Sequence, residues 1–191
     1  MSSPEGSIDR SPPGGDVAAV VLGVGNILYG DEGVGVYAAH FIERSFRFSP
    51  EVEVVDGATL GFDMIEVFRR ARTLLVLDAL AADAPAGTIF RLPAERLRDL
   101  GPEYRPTAHE VDPLHLLRLA PLLGEPPEMV LMGIVPAETS EVTVGLSPPL
   151  AAAFPAFVEG VISELQAMGI SAEQLAPVSL DEVVAGLVGS V

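Results

Sequence analysis

Three runs in this chain are apolar at nearly every position rather than at every second one: residues 17–24 (VAAVVLGV), 73–80 (TLLVLDAL) and 129–136 (MVLMGIVP). Such unbroken runs are the pattern of strands covered on both faces, as in a parallel sheet. "VEVVD" (52–56) predicts another short strand, ending at Asp56-Gly57. Between the strands the period changes. Residues 33–46 put Val34, Val36, Tyr37, Phe41 and Ile42 mostly on one side of a helix, and 60–71 does the same with Phe62, Ile65 and Phe68 inside and Arg69 and Arg70 outside. "DAPAG" (83–87) punctuates the chain as a turn, and "TIFRL" (88–92) predicts a short antiparallel strand near an edge. Residues 93–108, rich in Pro and Arg, predict an irregular excursion. A helix then runs to about Leu123. It starts either at Asp112-Pro113, as N-cap and first helical residue, or at a Thr107–Glu110 capping box, which leaves Pro113 inside the helix. "GLSPP" reads as the entry to a long helix over 147–168, with Pro155 expected to kink it.

Strands alternating with helices predict an α/β fold: a single three-layer domain over residues 17–170, with a twisted, mainly parallel five-stranded sheet flanked by helices and one antiparallel edge strand. Residues 1–16 predict a flexible tail, and 171–191 a C-terminal tail able to form a short helix. Sheets of this kind bind ligands beyond the carboxyl ends of their strands. Glu32 follows the first strand, Asp56 ends the second, Asp78 ends the third and His109 lies in a later loop. The three acids are thereby expected along one rim.

Composition narrows the chemistry. A net charge of −16 disfavours nucleic acid and anionic membrane surfaces as partners. The chain has no cysteine, which removes disulfides, thiolate nucleophiles and cysteine metal sites, and fits a cytoplasmic location. Every basic residue is Arg, so a phosphate-loop lysine and Schiff-base chemistry are excluded. No apolar run approaches the roughly 20 residues of a membrane span, and the first residues lack the pattern of a secretory signal.

"VLGVGNILYGDEGVGV" (21–36) begins like a dinucleotide-binding turn, but Leu28 stands where the third glycine belongs. Asp31 and Glu32 also occupy the place where a helix N-terminus would receive phosphate. The plainest reading makes Asp31 a helix cap and Glu32 a complement to the dipole, worth about 0.3–1 kcal/mol. That does not explain why Gly30, Gly33 and Gly35 surround the pair. Asp56-Gly57 is an ordinary turn pair, whereas Asp78 interrupts an otherwise apolar strand and needs partners or a task. Among the histidines, His40 reads as a surface or satisfied residue of the first helix. His109 and His115 are spaced wrongly for a zinc-protease helix, which leaves His109, in or near a loop, the freer one. Two carboxylates and an imidazole form an oxygen and nitrogen donor set suited to Ni²⁺ or Zn²⁺.

"LGVGNILYGDEGVGV", "VVDGATLGFDMIEV", "LLVLDALAADAPAGTIFRL", "TAHEV" and "LMGIVPAETSEVTVGLSPPLAAAFP", in this order over about residues 18–168, resemble the hydrogenase maturation endopeptidases. The resemblance implies a protease that removes the C-terminal extension of the [NiFe] hydrogenase large-subunit precursor once nickel is inserted. It implies metal-binding roles for Glu32, Asp78 and His109, and matches the family's second-strand Asp to Asp56. The nickel is expected to arrive with the substrate, with no tightly held cofactor in the enzyme. Two rival readings are a non-catalytic chaperone that binds the nickel site and a nucleotide-binding oxidoreductase.

Overall fold

The computed structural model describes residues 17–58, 64–99, 127–137 and 142–189. The expected tail 1–16, Phe62, the side chain of Phe68, and the stretch 100–126 with its expected helix, His109 and His115 lie outside the described residues.

A five-stranded sheet forms the middle layer. Its strands are β1 (Ala19–Gly23), β3 (Val52–Asp56), β4 (Thr73–Ala79), β5 (Ile89–Pro93) and β6 (Glu128–Ile134). They lie in the order β3-β1-β4-β6-β5. β1 pairs in parallel with β3 and β4, and β4 in parallel with β6. Only the edge strand β5 runs antiparallel. The architecture expected from the alternation of runs is the one found.

Alternate residues of each strand feed two cores, which is why the runs are apolar throughout. Val21, Leu75, Leu77, Met132 and Ile134 face α1 (Val34–Ser45) and α4 (Pro148–Ala167). Val20, Leu22, Leu74, Val76 and Leu131 face α2 (Met64–Arg70) and α3 (Ala94–Asp99). Helix α3 replaces the first part of the irregular excursion expected at 93–108. Its six residues bury Ala94 and Leu97 against the second core, a gain that local composition does not reveal. Helix α4 has 20 residues and a mean hydropathy of 1.2, long and apolar enough to cross a membrane. Its Leu150, Phe154, Phe157, Val161 and Leu165 are instead buried in the first core. It is entered at Ser147-Pro148 as expected and runs on through Pro155.

A second, two-stranded antiparallel sheet joins β2 (Phe46–Ser49) to β7 (Ser171–Gln174). Neither strand was expected. Each has four residues, too short for periodicity to mark, and they meet across more than a hundred positions. The short helix at the C-terminus does form, as α5 (Leu180–Val188). A capping box between Ser179 and Glu182 opens it, and Val183 is fully buried beneath it. The segment expected as a tail is thus packed on the main core.

The first turn of α1 lies hard against the carboxyl ends of β1 and β4. A Cβ at Gly35 would stand 2.1 Å from the Leu77 carbonyl oxygen and 2.3 Å from that of Val24. Gly35→Ala therefore sets a helix-propensity gain of about 1 kcal/mol against a clash with two backbone carbonyls that cannot rotate away. The clash wins: denaturant unfolding should show a net loss of about 3 kcal/mol or more, at the upper end of overpacking effects.

Candidate functional site at the carboxyl rim of the sheet

At the end of β1 the chain is locked to β4, since the Val24 N–H donates to the Leu77 carbonyl at 2.8 Å. The loop that follows returns beneath itself. Asn26 accepts from the Leu28 N–H through its side chain at 3.0 Å and donates its own N–H to the Glu32 carbonyl at 3.2 Å. Gly25, at φ +144°, is the point of closest approach, where a Cβ would lie 2.0 Å from the Glu32 carbonyl oxygen. The glycines of this loop thus make room for the chain's own 3₁₀ turn, Gly30–Gly33. The turn packs against β4 and presents a partly exposed Glu32.

Asp31 does not cap the helix, contrary to the plainest reading of the sequence. No side-chain cap bond is made at the start of α1. Its carboxylate is 1 % exposed and accepts three hydrogen bonds. The Ala137 N–H reaches Oδ2 at 2.8 Å, the Ser147 N–H reaches Oδ1 at 2.7 Å, and the Ser147 hydroxyl reaches Oδ2 at 2.7 Å. Asp31 therefore ties the 3₁₀ turn to the loop after β6 and to the start of α4. Tyr37 adds a second tie: its hydroxyl donates to the Ile27 carbonyl and accepts from the Gly145 N–H, both at 3.1 Å. Burial pushes the Tyr37 phenol above its ordinary pKa, and the Gly145 N–H offsets only part of this. It remains a neutral donor.

Asp78 is the penultimate residue of β4, paired with Gly133 of β6, and only 2 % exposed. Its Oδ1 accepts from the Ala79 N–H at 2.8 Å. Strand alternation puts it on the side of Leu74 and Val76, toward α2 and α3. Asp56, level with Gly23 and Leu77, lies on the α1 side. There His40 Nε2 meets Asp56 Oδ2 at 2.9 Å, and the Ala58 N–H donates to Oδ1 at 2.9 Å. Burial raises the Asp56 pKa, but the His40 and Ala58 hydrogen bonds and the attraction of His40 together outweigh it and leave the carboxyl below its ordinary value. His40 is a satisfied histidine of the first helix, as expected, with Glu43 also nearby at 3.7 Å.

The rim thus brings Glu32 and Asp78 to the ends of neighbouring strands, with Asp56 one strand away on the other face. His109, the expected third metal ligand, lies outside the described residues. Among the described residues no three His, Asp or Glu side chains gather closely enough to hold a metal. The polar residues that sequence reasoning missed here are Ser147, Tyr37 and the partnership of His40 with Asp56. The Ser147–Asp31 and Tyr37–Gly145 contacts span more than a hundred positions, beyond any local pattern.

Asp31→Ala would leave two part-buried N–H groups, of Ala137 and Ser147, without their acceptor. It should cost about 3 kcal/mol or more, since hydrogen bonds to charged groups are worth about 1.5–3 kcal/mol each; denaturant unfolding measures this. For Asp56, the depressed pKa gives a stabilising contribution that is complete above its ordinary value of 3.8 and is lost as the pH falls below it. His40→Ala should move the Asp56 titration upward when followed by carboxyl-carbon NMR, because burial then acts with less opposition.

Comparison with known proteins identifies the family and agrees with the fold. The family model for hydrogenase maturation proteases matches residues 36–164, a span that holds Asp56, Asp78 and His109 and begins just past Glu32. The hydrogenase expression/formation protein HupD of Thiocapsa roseopersicina is 31% identical over 161 residues, covering 83% of this chain and 72% of that protein. The hydrogenase 2 maturation protease of Escherichia coli is 30% identical over 155 residues, covering 80% of this chain and 93% of that protein. The solved structure of the hydrogenase maturating endopeptidase HybD from Escherichia coli superposes with a TM-score of 0.71 at 28% identity, over 81% of this chain and 96% of that one. This chain belongs to the hydrogenase maturation protease family, and its α/β sheet is the scaffold of an endopeptidase.

Proposed function

We propose that this protein removes the C-terminal extension from the precursor of a [NiFe] hydrogenase large subunit in the cytoplasm, after nickel has been inserted. Glu32, Asp78 and His109 then act as donors to the nickel carried by the substrate. The observation that carries this reading is the placement of two carboxylates at the carboxyl ends of adjacent parallel strands, Glu32 in the turn after β1 and Asp78 as the penultimate residue of β4. They are held there by the Val24–Leu77 hydrogen bond and the packing of the 3₁₀ turn on β4. A rim lined by acids repels phosphate and favours a cation. Family membership supports the hydrolytic outcome over the dinucleotide alternative.

In this reading a metal-polarised peptide carbonyl is attacked by water, the C–N bond breaks, and the amine leaves protonated. Asp56 suits a positioning role more than that of a general base. Its carboxylate is held below the ordinary range by His40 and Ala58, whereas an efficient base has a pKa near the working pH.

The test uses purified precursor with and without nickel, followed by mass spectrometry. The loaded precursor should lose its extension and the nickel-free one should not. Equal cleavage of both removes the metal-reading step, and binding of loaded precursor with its mass unchanged indicates a chaperone instead. Glu32→Gln and Asp78→Asn should each lower cleavage of loaded precursor by about 100-fold or more, since losing even an outer partner of a metal ligand costs about 10–100-fold.

A further inference from the structure

Seven large apolar side chains are strongly exposed among the described residues, and four of them, Leu28, Tyr29, Val142 and Val144, share one place. They sit on two loop strands that pair in parallel through Tyr29 and Thr143. The Gly30 N–H donates to the Thr143 carbonyl at 2.7 Å, and the Thr143 N–H to the Leu28 carbonyl at 3.1 Å. Tyr37 ties the same two loops from below through Ile27 and Gly145. The ribbon is therefore braced by backbone bonds while its side chains stand in water: Val142 is 71 % exposed and Leu28 44 %. An apolar cluster held open in this way marks an interaction surface.

We infer that this ribbon is the docking surface for the body of the hydrogenase large-subunit precursor. The inference rests on the function proposed above and adds the surface by which the substrate is seated. Its main support is continuity with the site. The chain passes from Leu28 and Tyr29 directly through Gly30 and Asp31 to Glu32, and Asp31 fixes that turn to Ser147, at the end of the second loop. Ribbon and Glu32 thus form one rigid block, and a protein seated on the ribbon is held in fixed register with the rim. An anionic membrane is a poor occupant for a chain of net charge −16. A second copy of this chain would meet like charge over its whole approach.

The test titrates purified, nickel-loaded precursor onto the wild-type protein, a Leu28→Ser/Val142→Ser double variant and a Val188→Ser control, with cleavage followed in parallel. Val188 is as exposed as Leu28 but lies on α5. Both variants should keep the wild-type unfolding midpoint, because the altered side chains face solvent. The double variant should bind precursor about tenfold more weakly or worse and show a matching rise in KM with kcat within about twofold, as expected for lost apolar anchors. The control should match wild type. Unchanged binding and KM in the double variant overturns the inference, as does a loss of kcat with KM unchanged. A wild-type dimer that the double variant dissociates, with precursor binding unaltered, also overturns it and makes the ribbon a self-interface. Failure of wild type to cleave precursor sinks the proposed function, while the binding comparison still decides the ribbon.

Discussion

A single buried carboxylate holds the carboxyl rim of the sheet together. Asp31 is cut off from water, and its two oxygens take up three donors from segments that follow β6 and precede α4. Burial of a charge is costly unless the charge is fully hydrogen-bonded. Here each donor also needs the acid, since the Ala137 and Ser147 N–H groups lie in loops without ladder partners at those positions. The result is a junction at which the turn after β1, the loop after β6 and the start of α4 are fixed relative to one another. Glu32 is the next residue along. Its position is therefore set by a buried, hydrogen-bonded neighbour, and the Gly25 and Gly35 contacts press the same turn down onto β4.

This arrangement divides the labour between adjacent acids in the motif "GDEG". One is spent on structure and one is left partly exposed, the one proposed to meet the substrate's metal. The same division recurs across the rim. Asp56 is engaged by His40 and the Ala58 N–H, which lower its proton affinity and make it a fixed negative charge. Asp78 sits at the other side of the sheet, nearly inaccessible, at the end of a strand that is otherwise hydrocarbon. Three acids at strand ends thus occupy three different environments.

The sheet was legible because burial on two faces leaves a signature that needs no partner to be recognised: every position of β4 except Asp78 and Thr73 is hydrocarbon. The same purity made Asp78 stand out. Asp31 was misread for the opposite reason. Its partners are 106 and 116 residues away, and a carboxylate in front of a helix has a common local explanation that happens not to apply. The strands β2 and β7 were invisible for a similar cause, being short and meaningful only when paired. α3 was hidden by the Pro and Arg around it, since its six residues are held by two apolar contacts and not by helix propensity. What the chain conceals is in each case a contact of long range, while what it displays is a local period or a break in one.

The absence of thiols gives the proposed chemistry its logic. A donor set of carboxylates and imidazole is a modest competitor for nickel beside thiolate sites, and this chain has no cysteine with which to improve on it. Such a site is well matched to completing a coordination sphere that another protein has largely built, and poorly matched to removing the metal from it. On that view weak metal affinity is an asset: a protease that held nickel tightly on its own would be ready to cut before the substrate was loaded, or would strip the metal it is meant to inspect. Affinity for the substrate must then come from elsewhere. The apolar ribbon of Leu28, Tyr29, Val142 and Val144, rigidly continuous with the turn that carries Glu32, is placed to supply it. In the proposed scheme, separating the surface that binds from the donors that sense the metal lets the first be strong and the second remain conditional.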